Sequence, residues 1–249
     1  MTKGIKIQKV FFSYIKNNPV LNNISLNIKA GTFLGITGVN GSGKSTFAYL
    51  LNGIIPHLLK GQLQGKVLID GISTKTKNVA YFSKKVGIVF QNPDFSLFNL
   101  TVKEEIAFGL KNLSLNNQEN RIKRALKNVG MTNFALRDPQ TLSLGEKEKL
   151  SLASVLALDT QYIVLDEPTA QLDYKNSLDL YKILSRLNKE GKTIITIEHD
   201  TDFLWDYTYE TIILDKGQII LYGPTKKILK NINLLKKLGI KTPKACVRK

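Results

Sequence analysis

With 249 residues, 43% of them hydrophobic, the chain is long enough for one large domain and apolar enough to bury a core. Its formal net charge of +16 leaves open nucleic acid, an anionic membrane face or a lysine-rich surface, although no arginine-aromatic stripe points to base stacking. The lone Cys246 excludes an internal disulfide and points to a reducing cytosol. No run of about eighteen apolar residues could span a bilayer, and the N-terminal M-T-K-G-I-K-I-Q lacks the apolar core of a signal peptide.

Residues 5–14 alternate loosely and predict a strand; residues 21–28, with Ile24, Leu26 and Ile28 at period two, predict a second. The apolar run Phe33–Thr37 reads as a buried strand that leads into G-V-N-G-S-G-K-S at residues 38–45, and residues 46–51 read as a helix. Strand, glycine loop and helix form the setting of a G-x-x-x-x-G-K-[ST] phosphate-binding loop. A polyphosphate must be gripped closely by backbone, and Gly38, Gly41 and Gly43 lack the Cβ that would block the approach. Consecutive N–H groups at a helix start make an anion nest, to which the helix dipole adds partial positive charge. Lys44 brings a full charge to the β- and γ-phosphates, and Ser45 brings a hydroxyl able to ligate Mg2+. The candidate ATP contacts of this segment are Gly38, Asn40, Gly41, Ser42, Gly43, Lys44, Ser45 and Thr46, with ATP and Mg2+ as the expected ligands.

Downstream, residues 65–70 predict a strand closed by the Asp70-Gly71 turn, and residues 86–90 a buried parallel strand. The pattern then turns helical. Thr101 and Glu104 make a capping box; Ile122, Ala125, Leu126 and Val129 recur at helical spacing before Gly130; residues 145–158 predict a third helix. Three helices between buried strands predict an inserted helical subdomain. Strands resume at 162–165 and 193–197, with a helix over 175–188 between them, and residues 211–214 and 218–222 pair through Lys216-Gly217. Residues 226–238 predict one basic terminal helix, followed by a frayed tail. The densest positive patch lies there: Lys236, Lys237, Lys241, Lys244, Arg248 and Lys249. His57 reads as structural and Cys246 as inert.

The strand at 162–165 runs into Asp166 and Glu167. Ligands of open α/β sheets bind beyond the carboxyl ends of the strands. Asp166 is placed to hold Mg2+ through its hydration shell, and Glu167, pointing elsewhere, to orient or deprotonate an attacking water.

With these two motifs and five further stretches in order, the sequence resembles the ATP-binding cassette (ABC) ATPases over nearly its whole length. The resemblance implies an α/β fold: a P-loop NTPase (RecA-like) core with an antiparallel β subdomain and an inserted α-helical subdomain. Residues 1–249 then form one domain. The core and β subdomain occupy 1–91 and 160–222, the helical subdomain 92–159, and the basic helix and tail 223–249. It further implies that Tyr14 stacks on adenine, that Gln91 touches Mg2+ and the attacking water, and that His199 contacts the γ-phosphate. Glu167, Gln91 and His199 are thus the catalytic candidates, and Ser45, Gln91 and Asp166 the Mg2+ candidates. Leu142-Ser143-Leu144-Gly145-Glu146 matches the signature sequence, whose Ser143 and Gly145 would reach ATP held by a second subunit, and Gln171-Leu172-Asp173 matches the loop that crosses the dimer interface.

The signature departs from L-S-G-G-Q at Leu144 and Glu146, which adds bulk and negative charge beside a phosphate. That departure predicts a weakened half-site and a heterodimer, with a homodimer as the other arrangement. Glu198 stands where many relatives have Thr, with no consequence drawn. The runs at residues 89–94, with Leu97-Phe98 and 101–105, and at 52–58 resemble energy-coupling factor (ECF) and cobalt/nickel-type importers. That likeness implies import of a vitamin or metal ion. Its implied partners are a second ATPase subunit, a transmembrane coupling subunit and a solute-binding membrane protein, at the cytoplasmic membrane face. Asp94 would then meet either a basic coupling helix or solvent. The alternatives are another ABC transporter class and a non-transport ABC ATPase acting on ribosomes or nucleic acid, although no specific nucleic acid is expected.

Overall fold

Three kinds of residue pattern produce two sheets and a helical insertion. The computed structural model describes residues 3–247, so Arg248 and Lys249 of the basic tail lie outside the described residues.

Alternating sequence builds the first sheet. Strands β1 (Gly4–Ser13) and β2 (Leu21–Lys29) pair antiparallel. Ile5 and Ile7 face inward, and so do Val10 and Phe12, because a bulge near Lys9, itself at φ 47°, shifts the register by one. That bulge is why the alternation in residues 5–14 is loose. The chain then forms β3 (Phe33–Thr37), the phosphate loop, helix α1 (Lys44–Leu51) and the short turn α2 (Ile54–His57). It returns to the first sheet as β4 (Gln62–Ile69) and β5 (Ile72–Ser73), giving the order β2-β1-β4-β5. His57 Nε2 lies 2.7 Å from the Thr74 carbonyl and ties α2 to this sheet.

Continuous apolar runs build the second sheet. After α3 (Val79–Ser83), strands β6 (Val86–Val89), β7 (Tyr162–Asp166) and β8 (Thr193–Ile197) run parallel with β3. All five positions of β3, β7 and β8 are buried, as for strands covered on both faces. Helices α4 (Val102–Asn112), α5 (Gln118–Val129) and α6 (Leu144–Ala157) fall between β6 and β7. Their apolar stripes, Ile106 and Leu110, Ile122 and Leu126, Leu150 and Ala153, share one core with Val89, Ile163 and Leu165 of the sheet. At about 1.5–3 kcal/mol per fully buried large side chain, this shared core fastens the insertion to the strands. Helix α1 seals the other face, where Phe47 and Leu51 join Ile7 and Leu26 of the first sheet to Ile36 and Val164 of the second.

Helix α7 (Tyr174–Lys189) precedes β8, and α8 (Thr201–Tyr207) follows it. Strand β9 (Glu210–Asp215) joins β3 in parallel, and β10 (Gln218–Pro224) pairs antiparallel with β9, giving the order β10-β9-β3-β8-β7-β6. The C-terminal region corrects the expectation of one basic helix and a frayed tail. It divides into α9 (Thr225–Leu229) and α10 (Ile232–Lys237), because the Asn231 side chain accepts from Leu234 N–H and caps a new helix. The following residues dock instead of fraying: Ile240 is buried, Lys241 pairs with Asp200 and Asp202 at 2.7 and 2.9 Å, and α11 (Lys244–Val247) begins with its backbone bonded to Asp202.

The parallel alignment opens the carboxyl ends of β3, β6, β7 and β8 along one edge. The phosphate loop, Gln91, Glu167 and His199 follow those four ends in the sequence.

Candidate functional site

The loop between β3 and α1 is shaped by what its glycines exclude. A Cβ on Gly38 would sit 2.1 Å from the Leu214 carbonyl oxygen, and one on Gly43, at φ 100°, 2.9 Å from that of Val20. The backbone therefore turns tightly enough to start α1 at Lys44. Lys44 is 5% exposed; its ammonium donates to the carbonyls of Gly38 and Val39 at 3.1 Å and lies 3.8 Å from Glu167. Burial lowers its pKa, opposed by the charges of Glu167 and Asp166. A cleft of about 430 Å³ opens over the loop, lined by Val20, Asn40, Gly41, Gly43, Lys44, Ser45, Thr46, Gln91 and Glu167.

Asp166 and Glu167 diverge as adjacent residues at a strand end do. Asp166 is buried and its pKa is raised: burial is the largest cause, a hydrogen bond with Ser45 opposes it, and the Glu167 charge adds to it. Asp166 Oδ1 is buried with no partner among the described residues, an arrangement that costs roughly 1–3 kcal/mol. The Ser45 hydroxyl is hydrogen-bonded to the Asp166 carboxylate and shares the cleft with Gln91, and these side chains carry the hard oxygen atoms that would suit Mg2+. Among the described residues no cluster of three His, Cys, Asp or Glu side chains could hold a metal, so such an ion would share its shell with phosphate and water.

Glu167 has φ 53°, the left-handed region that costs a residue with a Cβ roughly 1–2 kcal/mol. The turn aims its carboxylate away from Asp166 and into a three-sided grip. Oε2 accepts from Gln91 Nε2 at 2.8 Å, and Oε1 lies 2.8 Å from His199 Nε2 and 3.8 Å from Lys44. Gln91, Glu167 and His199, far apart in sequence, thus meet at one carboxylate.

Comparison with known proteins agrees with this architecture. The model of the family described as ABC transporter matches residues 21–170. The chain belongs to the ABC transporter family. A protein of Pyrococcus horikoshii, whose naming as an ABC transporter ATP-binding protein is itself provisional, is 44% identical over 96% of this chain and 86% of its own. The solved structure of cbiO1 from Clostridium perfringens, part of the ABC transporter complex cbiONQ, is 32% identical, with a TM-score of 0.83 over 96% of this chain and 95% of its own. The dimeric cassette MJ0796 is 29% identical, with a TM-score of 0.76 over 89% of this chain and 98% of its own. The protein has the ABC ATPase fold and is an ATP-binding ATPase.

The remaining motifs of this ABC ATPase sit just past β1 and at the starts of α6 and α7. Tyr14 is half-exposed just past β1, its hydroxyl 3.1 Å from Thr46 Oγ1 and its ring edge-on to Phe12. Ser143 caps α6, and Glu146 closes the box: its carboxylate accepts from the Ser143 N–H at 2.8 Å and hydroxyl at 3.0 Å. S-L-G-E at residues 143–146 carries the same capping signal as Thr101–Glu104. Gly145 packs against Asn176 so closely that a Cβ would sit 2.7 Å from its amide, and Asn176 in turn bonds Asp173. The signature and the loop ending at Asp173 therefore lie side by side. Lys147 pairs with Asp94 at 2.5 Å, joining the first turn of α6 to the turn after Gln91; Asp94 thus has a partner within the chain.

Proposed function

We propose that this ATPase is the energising subunit of an ECF-type importer for a vitamin or transition-metal ion, one half of a nucleotide sandwich at the cytoplasmic membrane face. The observation that carries hydrolysis is the convergence of Gln91, Glu167 and His199 beside Lys44. In this reading Lys44 and the loop N–H groups hold the β- and γ-phosphates, and Tyr14 stacks on adenine. Ser45, Asp166 and Gln91 would hold Mg2+, which would neutralise phosphate charge. Glu167 orients the attacking water and takes its proton. Both Glu167 oxygens are engaged, so Gln91 or His199 turns toward the phosphates to free one of them.

The likeness to cbiO1 supports the importer reading, and so does an apolar patch beside Gln91. Phe90 and Phe108 are half-exposed and line a groove of about 190 Å³ with Leu97 and Leu158, and the more exposed Phe98 packs edge-on against Phe108. Among the described residues no helix is long and apolar enough to cross a membrane. The reading assigns the crossing to a transmembrane coupling subunit, whose helices the groove would receive, and to a solute-binding membrane protein.

The signature geometry supports the heterodimer. The Ser143 hydroxyl is committed to Glu146, and a carboxylate stands where a phosphate from the partner subunit would arrive. A better signature from a second ATPase subunit would then complete this chain's own site.

Isolation of the native protein from membranes tests the assignment. Co-purification with a second cassette ATPase and a multi-span membrane protein is expected. Salt-sensitive nucleic-acid binding in the micromolar range or tighter, with no membrane partner, would overturn it.

A further inference from the structure

Glu198 directly follows β8, one residue before His199, and is 2% exposed. A buried acid is costly unless hydrogen-bonded, so its partners show what fixes it in place. Thr169 Oγ1 lies 3.0 Å from both carboxylate oxygens, and the Tyr181 hydroxyl donates to one of them at 3.1 Å. Tyr181 is immobilised: fully buried, it stacks on Phe203 with ring centroids 4.8 Å apart and shares a hydrogen bond with Thr196. The Glu198 backbone N–H donates to Ile36 at the end of β3, just ahead of the phosphate loop.

Thr169 is the one partner of Glu198 that lies on the turn after Glu167. That turn is bonded internally, Ala170 N–H to the Glu167 carbonyl and Leu172 N–H to the Thr169 carbonyl, so holding Thr169 holds both Glu167 and the loop to Asp173. At the same junction Glu167 N–H donates to Ile197. A cavity of about 320 Å³ runs beneath, lined among others by Glu167, Thr169, Glu198 and His199.

We propose that Glu198 is a positioning residue for hydrolysis: by clamping Thr169 it fixes the turn after Glu167 against the strand that delivers His199, and so keeps those two side chains in hydrogen-bond contact. This rests on the reading above that Glu167 and His199 serve hydrolysis. Glu198 does not line the cleft over the phosphate loop; it acts through the turn.

The test severs the clamp at Thr169, outside the catalytic trio. In the assembled, hydrolysing protein, Thr169→Val is expected to lower kcat by about 10- to 100-fold, the scale of a small misplacement of reacting groups. The Kd for Mg-ATP should stay within about twofold, and Thr169→Ser should restore kcat. The chain has two histidines, and the imidazole resonances of His199 should move in the variant while those of His57 stay. If Thr169→Val does not fold, Thr169→Ala removes the same hydroxyl without added bulk. A wild-type kcat in either folded variant, or a loss of ATP affinity in step with kcat, overturns the proposal. A wild-type rate in Glu167→Gln would instead overturn the reading beneath it.

Discussion

Glu146 grips Ser143 at both its backbone and its side chain, accepting from the N–H at 2.8 Å and the hydroxyl at 3.0 Å. Glutamine at 146 would keep the box through its carbonyl oxygen and remove the charge. In the isolated chain the loss is small, because an acid at a helix start contributes about 0.3–1 kcal/mol. In the assembled protein the gain is larger: like charges 4 Å apart repel by about 4 kcal/mol at an effective dielectric constant of about 20. Glu146→Gln is therefore expected to tighten ATP at the site this signature completes by roughly tenfold, which needs only about 1.4 kcal/mol. Nucleotide titration of the dimer checks this, and unchanged or weaker binding would remove the weakened half-site.

Lys44 is the main cation of the cleft, buried at its base with two carboxylates beside it. Mg-ATP at a hundred times its Kd should add about 2.7 kcal/mol of stability. For a chain of this size that corresponds to a rise of roughly 5–10 °C in Tm. Lys44→Ala should abolish most of the rise, because the phosphates lose their charged partner. A full thermal shift in the variant would mean that nucleotide is held elsewhere.

Glu167→Gln separates binding from chemistry. The amide preserves size and can still meet Gln91 and His199, but it cannot take a proton from water. Hydrolysis should slow by about 10²-fold or more, with the Mg-ATP thermal shift intact. Single-turnover phosphate release measures the rate directly. A loss of nucleotide binding would assign Glu167 to holding the phosphates and not to the attacking water.

Much of this site is legible in the sequence because phosphate chemistry restricts which residues can stand together. The glycines at 38, 41 and 43, Lys44, and an acid pair at an apolar strand end state their purpose locally. Short apolar runs likewise announce strands buried on both faces, as β3 and β7 are. What the sequence conceals is set by contacts between distant elements. Glu198 looks like a polar strand end until Thr169 and Tyr181 close over it. Asp94 looks like a solvated loop acid until the insertion brings Lys147 to it. The break at Asn231 is a local signal of a different kind: a side chain that caps a helix inside a stretch whose periodicity alone suggests continuity.

Two buried acids make stability fall as pH rises. Glu148 on α6 is 2% exposed, and its Oε1 has no partner among the described residues; burial, reinforced by the charge of Glu198, pushes its pKa up to about 8. Glu198 is also raised to about 8, by burial first, opposed by the hydrogen bonds from Thr169 and Tyr181. In the unfolded chain both would titrate near 4.5. Between those limits the folded state binds more protons than the unfolded state, so stability is fully present below about pH 4.5 and is lost progressively up to about pH 8. Glu148→Gln is neutral throughout, with nearly the same shape, and removes one of the two contributions. Its Tm should match the wild type to about 1–2 °C at pH 5 and exceed it by several degrees at pH 8, at roughly 2–4 °C per kcal/mol recovered. Thermal melts of the two proteins across this range decide the matter: parallel curves would mean that Glu148 is already ionised in the folded protein and compensated from another source.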